Sequence, residues 1–164
     1  MRIVINAGHT KHGKGIGANK YLNESIETRR IAYRIMELLA DTEHEVIPAV
    51  FDRSDDNLAQ AVSLAVNADL FISIHLNAGG GRGSEIYTWK GSKPSKAVGI
   101  LKNLSKLGFA DRGIKNGSQL YVIRHTPCSA MLVEVCFVDN KEDAELYHRV
   151  GFGEIAKAIA DAVK

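Results

Sequence analysis

The most apolar stretch of the chain, residues 130–138, carries a carboxylate at its centre: Ala-Met-Leu-Val-Glu-Val-Cys-Phe-Val, with Glu134 in the middle. Its length, β-branched content and flanking turn residues predict a strand buried inside a sheet. An ionised carboxylate there is costly unless it is paired, protonated, set beside a metal ion or opened to a cleft. Two other apolar runs lead into polar groups. Residues 2–6 run into Ala7-Gly8-His9, and residues 70–74 run into His75.

Strand-like and helix-like stretches alternate. After the strand at 2–6 comes a glycine-rich loop over 8–19, with Gly8, Gly13, Gly15 and Gly17. Asn23 is placed to cap a helix whose first turn holds Glu24 and Glu27. Ile31, Ile35, Leu38 and Leu39 carry the helical period to Ala40. Residues 45–51 read as a strand, with Pro48 marking an edge or a bulge. A helix is expected over 54–67, opening at Ser54-Asp55-Asp56, then strands over 70–75 and 84–89. A helix follows from Pro94 to Phe109, since proline is tolerated in a first turn. Strands over 119–124 and 130–138 and helices over 140–149 and 152–163 complete the chain. This alternation predicts an α/β fold with an open, mostly parallel, mixed sheet and helices on both faces. Ligands of such sheets collect beyond the carboxyl ends of the strands, where His9 and His75 fall.

The 164 residues suit a single domain spanning 1–164, long enough to bury a core without disulfides. A hydrophobic content of 45% with 24% charged residues excludes a disordered or membrane-spanning chain. The net charge of +2 argues against a nucleic-acid binder. Cys128 and Cys136 match no CxxC motif and read as structural. The N-terminus enters a strand directly, without the architecture of a signal peptide, so synthesis in the cytoplasm is expected.

Two imidazoles and a carboxylate suit a borderline cation such as zinc. Catalytic zinc takes three protein ligands and keeps a position for water, whose pKa falls toward about 7. A separate carboxylate then moves the proton. The chain offers His9 and His75 as imidazole ligands, Glu24 beyond the loop that follows His9, and Glu134 as the buried acid. Each ligand also has an ordinary structural reading. A strand-end histidine can be merely hydrogen-bonded, and a glutamate in a first helical turn can simply face the helix dipole.

Several strings occur in order: Ile5-Asn6-Ala7-Gly8-His9, Asn23-Glu24, Ile72-Ser73-Ile74-His75-Leu76-Asn77-Ala78, Gly83-Ser84-Glu85-Ile86, Asp111-Arg112-Gly113-Ile114-Lys115, Leu120-Tyr121-Val122 and Leu132-Val133-Glu134-Val135-Cys136-Phe137. Together they resemble the zinc-dependent N-acetylmuramoyl-L-alanine amidases of the amidase type 3 family, over essentially the whole chain. The catalytic-only length looks most like the catalytic domain of a clostridial bacteriophage endolysin. The resemblance implies a six-stranded α/β sheet of phosphorylase/hydrolase-like form, one Zn2+ per chain held by His9, Glu24 and His75, and Glu134 as general base and acid. One departure is visible: many members carry an acidic residue shortly before a Gly-Ala pair in the first loop, and here Ile16 precedes Gly17-Ala18.

The implied activity is hydrolysis of the amide between the lactyl group of N-acetylmuramic acid and L-alanine in peptidoglycan, with lysis of the wall. Asn77 and His125, near strand ends, are the candidate substrate contacts. Bacterial peptidoglycan is the expected partner, with no nucleic acid and no membrane. A monomer is expected, acting on the wall after phage-mediated release, with room for a separate wall-binding domain elsewhere. The rival readings are a wall-binding module that has lost catalysis, and a zinc carboxypeptidase-like peptidase on a related fold.

Overall fold

A computed structural model of the protein describes residues 1–53 and 55–164. The elements are β1 (Arg2–Ala7), α1 (Glu24–Ala40), β2 (Glu45–Ala49), α2 (Asn57–Ser63), β3 (Leu70–Asn77) and β4 (Ser84–Thr88), then a 3-10 turn at Trp89–Gly91. They continue with α3 (Ser95–Lys106), β5 (Asp111–Asn116), α4 (Tyr121–His125), β6 (Ser129–Phe137), α5 (Lys141–Val150) and α6 (Phe152–Ala160). The six strands form one sheet in the order β2-β1-β3-β6-β4-β5. All neighbours are parallel except β6 and β4.

That one antiparallel pairing positions the site. The chain leaves β3 and reaches β4 through the short segment 78–83, with no crossover helix, so β4 runs back against the direction of β3. The carboxyl ends of β1, β3 and β6 therefore lie beside the beginnings of β4 and β5.

The centre of the sheet is apolar on both faces. Ile3, Ile5, Ile72, Ile74, Ile86, Val133 and Val135 pack with α1, α3, α5 and α6. Val4, Phe71 and Leu132 face the other way, toward α2 and α4. Those two helices are short, 7 and 5 residues, and cover less of their face. Helix α1 starts where expected: Asn23 accepts the Ile26 N–H at 3.2 Å, and Glu24 and Glu27 lie in the first turn. Pro48 sits in β2, an edge strand, where a missing N–H can face away from the ladder.

Two expectations fail. Residues 119–124, read as a strand, hold a turn and the helix α4; Leu120 and Val122 alternate, but Val122 and Ile123 are both buried on one helical side. A short apolar run does not distinguish strand from helix. Conversely, Asp111–Asn116 is a strand, β5, hidden in sequence by its charged and glycine content and tolerated because it is the sheet edge. The helix expected over 54–67 is α2, ending at Ser63, and Asn67 takes a left-handed backbone with φ 64°; Ser54 lies outside the described residues.

Ile35 is fully buried on the side of α1 that packs on the sheet. Ile35→Ala should lower the unfolding free energy by about 2–4 kcal/mol, through lost transfer energy plus a cavity, in urea titrations followed by circular dichroism.

Candidate active site

The capped end of α1 brings Glu24 to the carboxyl edge of the sheet, where its carboxylate is buried to 4% exposure. Its Oε1 lies 3.2 Å from His9 Nε2 and 3.2 Å from His75 Nδ1, and accepts the Leu76 N–H at 3.2 Å. Its Oε2 accepts the Ala18 N–H at 2.9 Å. Burial works against ionisation of Glu24, yet the hydrogen bonds from His75 and His9 outweigh it and hold the carboxyl well below the usual range. Burial likewise disfavours the His9 cation, and the Glu24 contact overcomes it, so the imidazole is raised from its ordinary value.

The same helix fixes the backbone of its partner. His9 sits at φ 66°, a left-handed conformation uncommon outside glycine. Thr28 Oγ1 donates to the Gly8 carbonyl at 3.0 Å. The buried guanidinium of Arg29 donates to the carbonyls of His9 at 3.2 Å, Phe51 at 2.6 Å and Ser25 at 2.6 Å. His9 Nδ1 meets the Gly15 carbonyl at 3.1 Å, which orients the ring. Two glycines leave the space: a Cβ on Gly8 would fall 2.4 Å from His75 Cε1, and one on Gly17, 2.6 Å from Glu24 Oε2.

One ligand atom from each of His9, Glu24 and His75 lies within 4.8 Å of the others. Tetrahedral zinc with nitrogen and oxygen donors at about 2.0–2.2 Å spaces its ligand atoms about 3.3–3.6 Å apart, so the two 3.2 Å separations around Glu24 fit a cation of that size. Two imidazoles with one carboxylate is also the donor chemistry zinc favours.

Glu134 is level with His75 across the β3–β6 ladder and with Glu85 across the β6–β4 ladder. Paired residues share a face of the sheet, so the three acidic and imidazole groups form a row. Glu134 Oε2 is buried and has no hydrogen-bond partner among the described residues. Burial first, then the negative charges of Glu24 and Glu85, push its carboxyl up to about 8 in the metal-free protein.

Glu85, 2% exposed, was not singled out by sequence. It accepts from Asn77 Nδ2 and the Tyr87 hydroxyl, each at 2.8 Å, from Arg112 Nε at 2.7 Å, and from Lys115 Nζ. These bonds overcome its burial and lower its pKa, while burial and the bond to Glu85 push the Tyr87 hydroxyl up to about 12. The signals available were the Gly83-Ser84-Glu85-Ile86 and Asp111-Arg112-Gly113-Ile114-Lys115 strings, which carry the resemblance but assign these residues no role.

The two expected substrate contacts differ in position. Asn77 lies beside the row, with its amide engaged: Nδ2 on Glu85 and Oδ1 on the Ala78 N–H at 2.8 Å. His125 is exposed at the last turn of α4, its ring 4.4 Å from that of Tyr121. Since α4 feeds into the start of β6, His125 falls at the opposite edge of the sheet and is not brought to the cluster.

An open α/β sheet with a His-Glu-His cluster at its carboxyl edge defines a domain with a candidate cation centre beside a buried acid. Residues 3–164 match the N-acetylmuramoyl-L-alanine amidase family (Amidase_3), and the chain belongs to it. Among solved structures, the catalytic domain of the CD27L endolysin targeting Clostridia difficile superposes with a TM-score of 0.88 at 28% identity, over 99% of this chain and 96% of that one. The catalytic domain of CwlV, an N-acetylmuramoyl-L-alanine amidase from Bacillus (Paenibacillus) polymyxa, gives 0.86 at 30% identity, over 99% and 95%. An uncharacterised protein of Clostridium perfringens, CPE1502, is 35% identical over 99% of this chain and 51% of its own length. The chain spans about half the length of the first curated relatives it matches.

Gly8→Ala should displace the His75 ring and weaken zinc binding at least about 10-fold while the far-ultraviolet spectrum is kept; competition with a chromophoric chelator reads this. A second expectation concerns pH. The folded-state pKa of Glu134 lies above the ordinary 4.5, so the folded metal-free chain holds the proton between 4.5 and about 8 and loses stability as pH rises through that window. Glu134→Gln removes the loss. Its metal-free melting temperature should exceed that of the unsubstituted protein at about pH 8.5 and match it near about pH 4; calorimetry showing the same gap at both would contradict the burial account.

Proposed function

We propose that the chain is a zinc-dependent N-acetylmuramoyl-L-alanine amidase that hydrolyses the amide between the lactyl group of N-acetylmuramic acid and L-alanine in bacterial peptidoglycan. The observation that carries this reading is the convergence of His9, Glu24 and His75 beside the unpartnered carboxylate oxygen of Glu134, in a chain of this family. The named relatives support it: CwlV is an N-acetylmuramoyl-L-alanine amidase and CD27L an endolysin. No helix among the described residues is long and apolar enough to cross a membrane.

His9, Glu24 and His75 are the proposed ligands. Zinc held there supplies Lewis acidity to the scissile carbonyl and the attacking water. Glu134 accepts the proton of that water at Oε2 as its oxygen bonds to the carbonyl carbon, and delivers the proton to the alanine nitrogen as the carbon–nitrogen bond breaks. The products are the lactyl carboxylate on the sugar and a stem peptide with a free alanine amine. Glu24, anchored by two backbone N–H groups, fixes the ligand set, and Arg29 holds His9 in its left-handed backbone.

Glu134→Gln should keep zinc and lose at least about 100-fold in turnover, whereas His75→Ala should lose zinc as well. New amino groups released from purified walls, with fragment masses corresponding to intact stem peptides that begin with L-alanine, measure the reaction. Near-normal turnover in Glu134→Gln would overturn the proton-transfer role, and walls that yield no free alanine amine would overturn the amidase reading itself.

A further inference from the structure

The row on the sheet face does not end at Glu134. One strand further lies Glu85, and beyond it β5 places Lys115 level with Tyr87, with Arg112 at the irregularity in the β4–β5 register. Both cations reach back to Glu85 Oε2. They remain open to solvent, with side chains 34% and 37% exposed, while the carboxylate that holds them is buried.

The charge and donor inventories of this cluster do not close on themselves. Two cations share one carboxylate, an excess of one positive charge. Glu85 already accepts four donors, two on each oxygen, which fills a carboxylate. Arg112 has five N–H donors and Lys115 three; beyond Glu85, the one further hydrogen bond from either among the described residues is a 3.5 Å contact of Arg112 with the Arg82 carbonyl. The Arg112 guanidinium also lies over the Phe137 ring, 4.9 Å from its centre. With Nε on Glu85 and Nη1 on the Arg82 carbonyl, Arg112 keeps Nη2, and Lys115 two of its Nζ protons, without a hydrogen bond among the described residues, and cationic donors fixed in this way suit a second carboxylate.

We propose that Arg112 and Lys115, buttressed by Glu85, form a binding subsite for the carboxylate on the stem-peptide residue that follows L-alanine. This rests on the amidase reading for its direction. Glu134 protonates the departing nitrogen, so the nitrogen lies on the Glu134 side of His75 and the peptide continues toward β4 and β5. The spacing agrees. Arg112 stands two strand steps from Glu134, about 9–10 Å at the usual strand separation, and Lys115, level with Tyr87, lies further along β5. The carboxyl of the residue after alanine, in an extended chain advancing about 3.5 Å per residue, lies about 7 Å from the alanine nitrogen, and the long cationic side chains cover the remainder. Stem peptides carry glutamate at that residue, with its free carboxyl either ionised or amidated. The subsite therefore discriminates the ionised form from the amide.

The test is a titration that needs no turnover. L-alanyl-D-glutamate and its diamide, both with a free alanine amine, are titrated calorimetrically into metal-free and zinc-loaded protein at low salt. The acid should bind about 5- to 20-fold more tightly than the diamide, in the metal-free protein as well, and the preference should shrink with added salt. Arg112→Gln and Lys115→Gln should each remove most of that preference, whereas Lys106→Gln, at an exposed lysine in the last turn of α3, should keep it. Equal affinity for acid and diamide in the unsubstituted protein overturns the subsite without any variant having to fold. A preference seen only with zinc, or one unchanged in both cation variants, overturns it as well, by placing the carboxylate on the metal or elsewhere. Failure of the amidase reading shows separately, as walls that release no alanine amine.

Discussion

A single buried carboxylate ties the working edge of this molecule together. Glu24 receives His9 from the loop after β1, His75 and the Leu76 N–H from β3, and the Ala18 N–H from the glycine-rich loop. Two pieces of chain, the 8–19 loop and β3, thus converge on two oxygen atoms. A carboxylate this buried is unfavourable without such partners, and with them it becomes the point from which the surrounding backbone takes its positions. The same helix secures the arrangement from behind, with Thr28 and Arg29 on the carbonyls of Gly8 and His9.

The second constraint is the reversal of direction between β6 and β4. It lays His75, Glu134 and Glu85 side by side on one face. One sheet edge therefore carries a cation-type donor set, a buried acid and a pair of anchored cations in sequence. The rigidity of the ladder spaces them, and loops contribute only His9. The short helices α2 and α4 pack on the smaller of the two apolar clusters, on the face that carries this row.

Much of this was legible in the chain. Asn23 followed by two glutamates marks the start of α1 because capping is local. Pro48 marks an edge because a missing N–H is tolerated only there. Glu134 stands out because a charge in an apolar run demands an explanation. What escaped was non-local or disguised. β5 reads as polar loop because an edge strand need not be apolar, and Val122 and Ile123 fit strand and helix alike. The Glu85 cluster draws its cations from residues 27 and 30 positions away, and only the pairing of β4 with β5 brings them together. Nothing in the spacing of Asn77 or His125 indicates that one lies beside the row and the other at the far edge.

The order of the strands has a consequence for how the molecule comes into being. Strands β2, β1 and β3 form one block and β4 with β5 another, and no strand of the first pairs with a strand of the second; only β6, arriving late in the chain, joins them. Assembly therefore waits on long-range pairing, the slow kind. The acid on which the proposed chemistry turns is carried by that final strand. A nascent chain still short of residue 129 holds both blocks of strands but lacks the one strand that joins them into a single sheet.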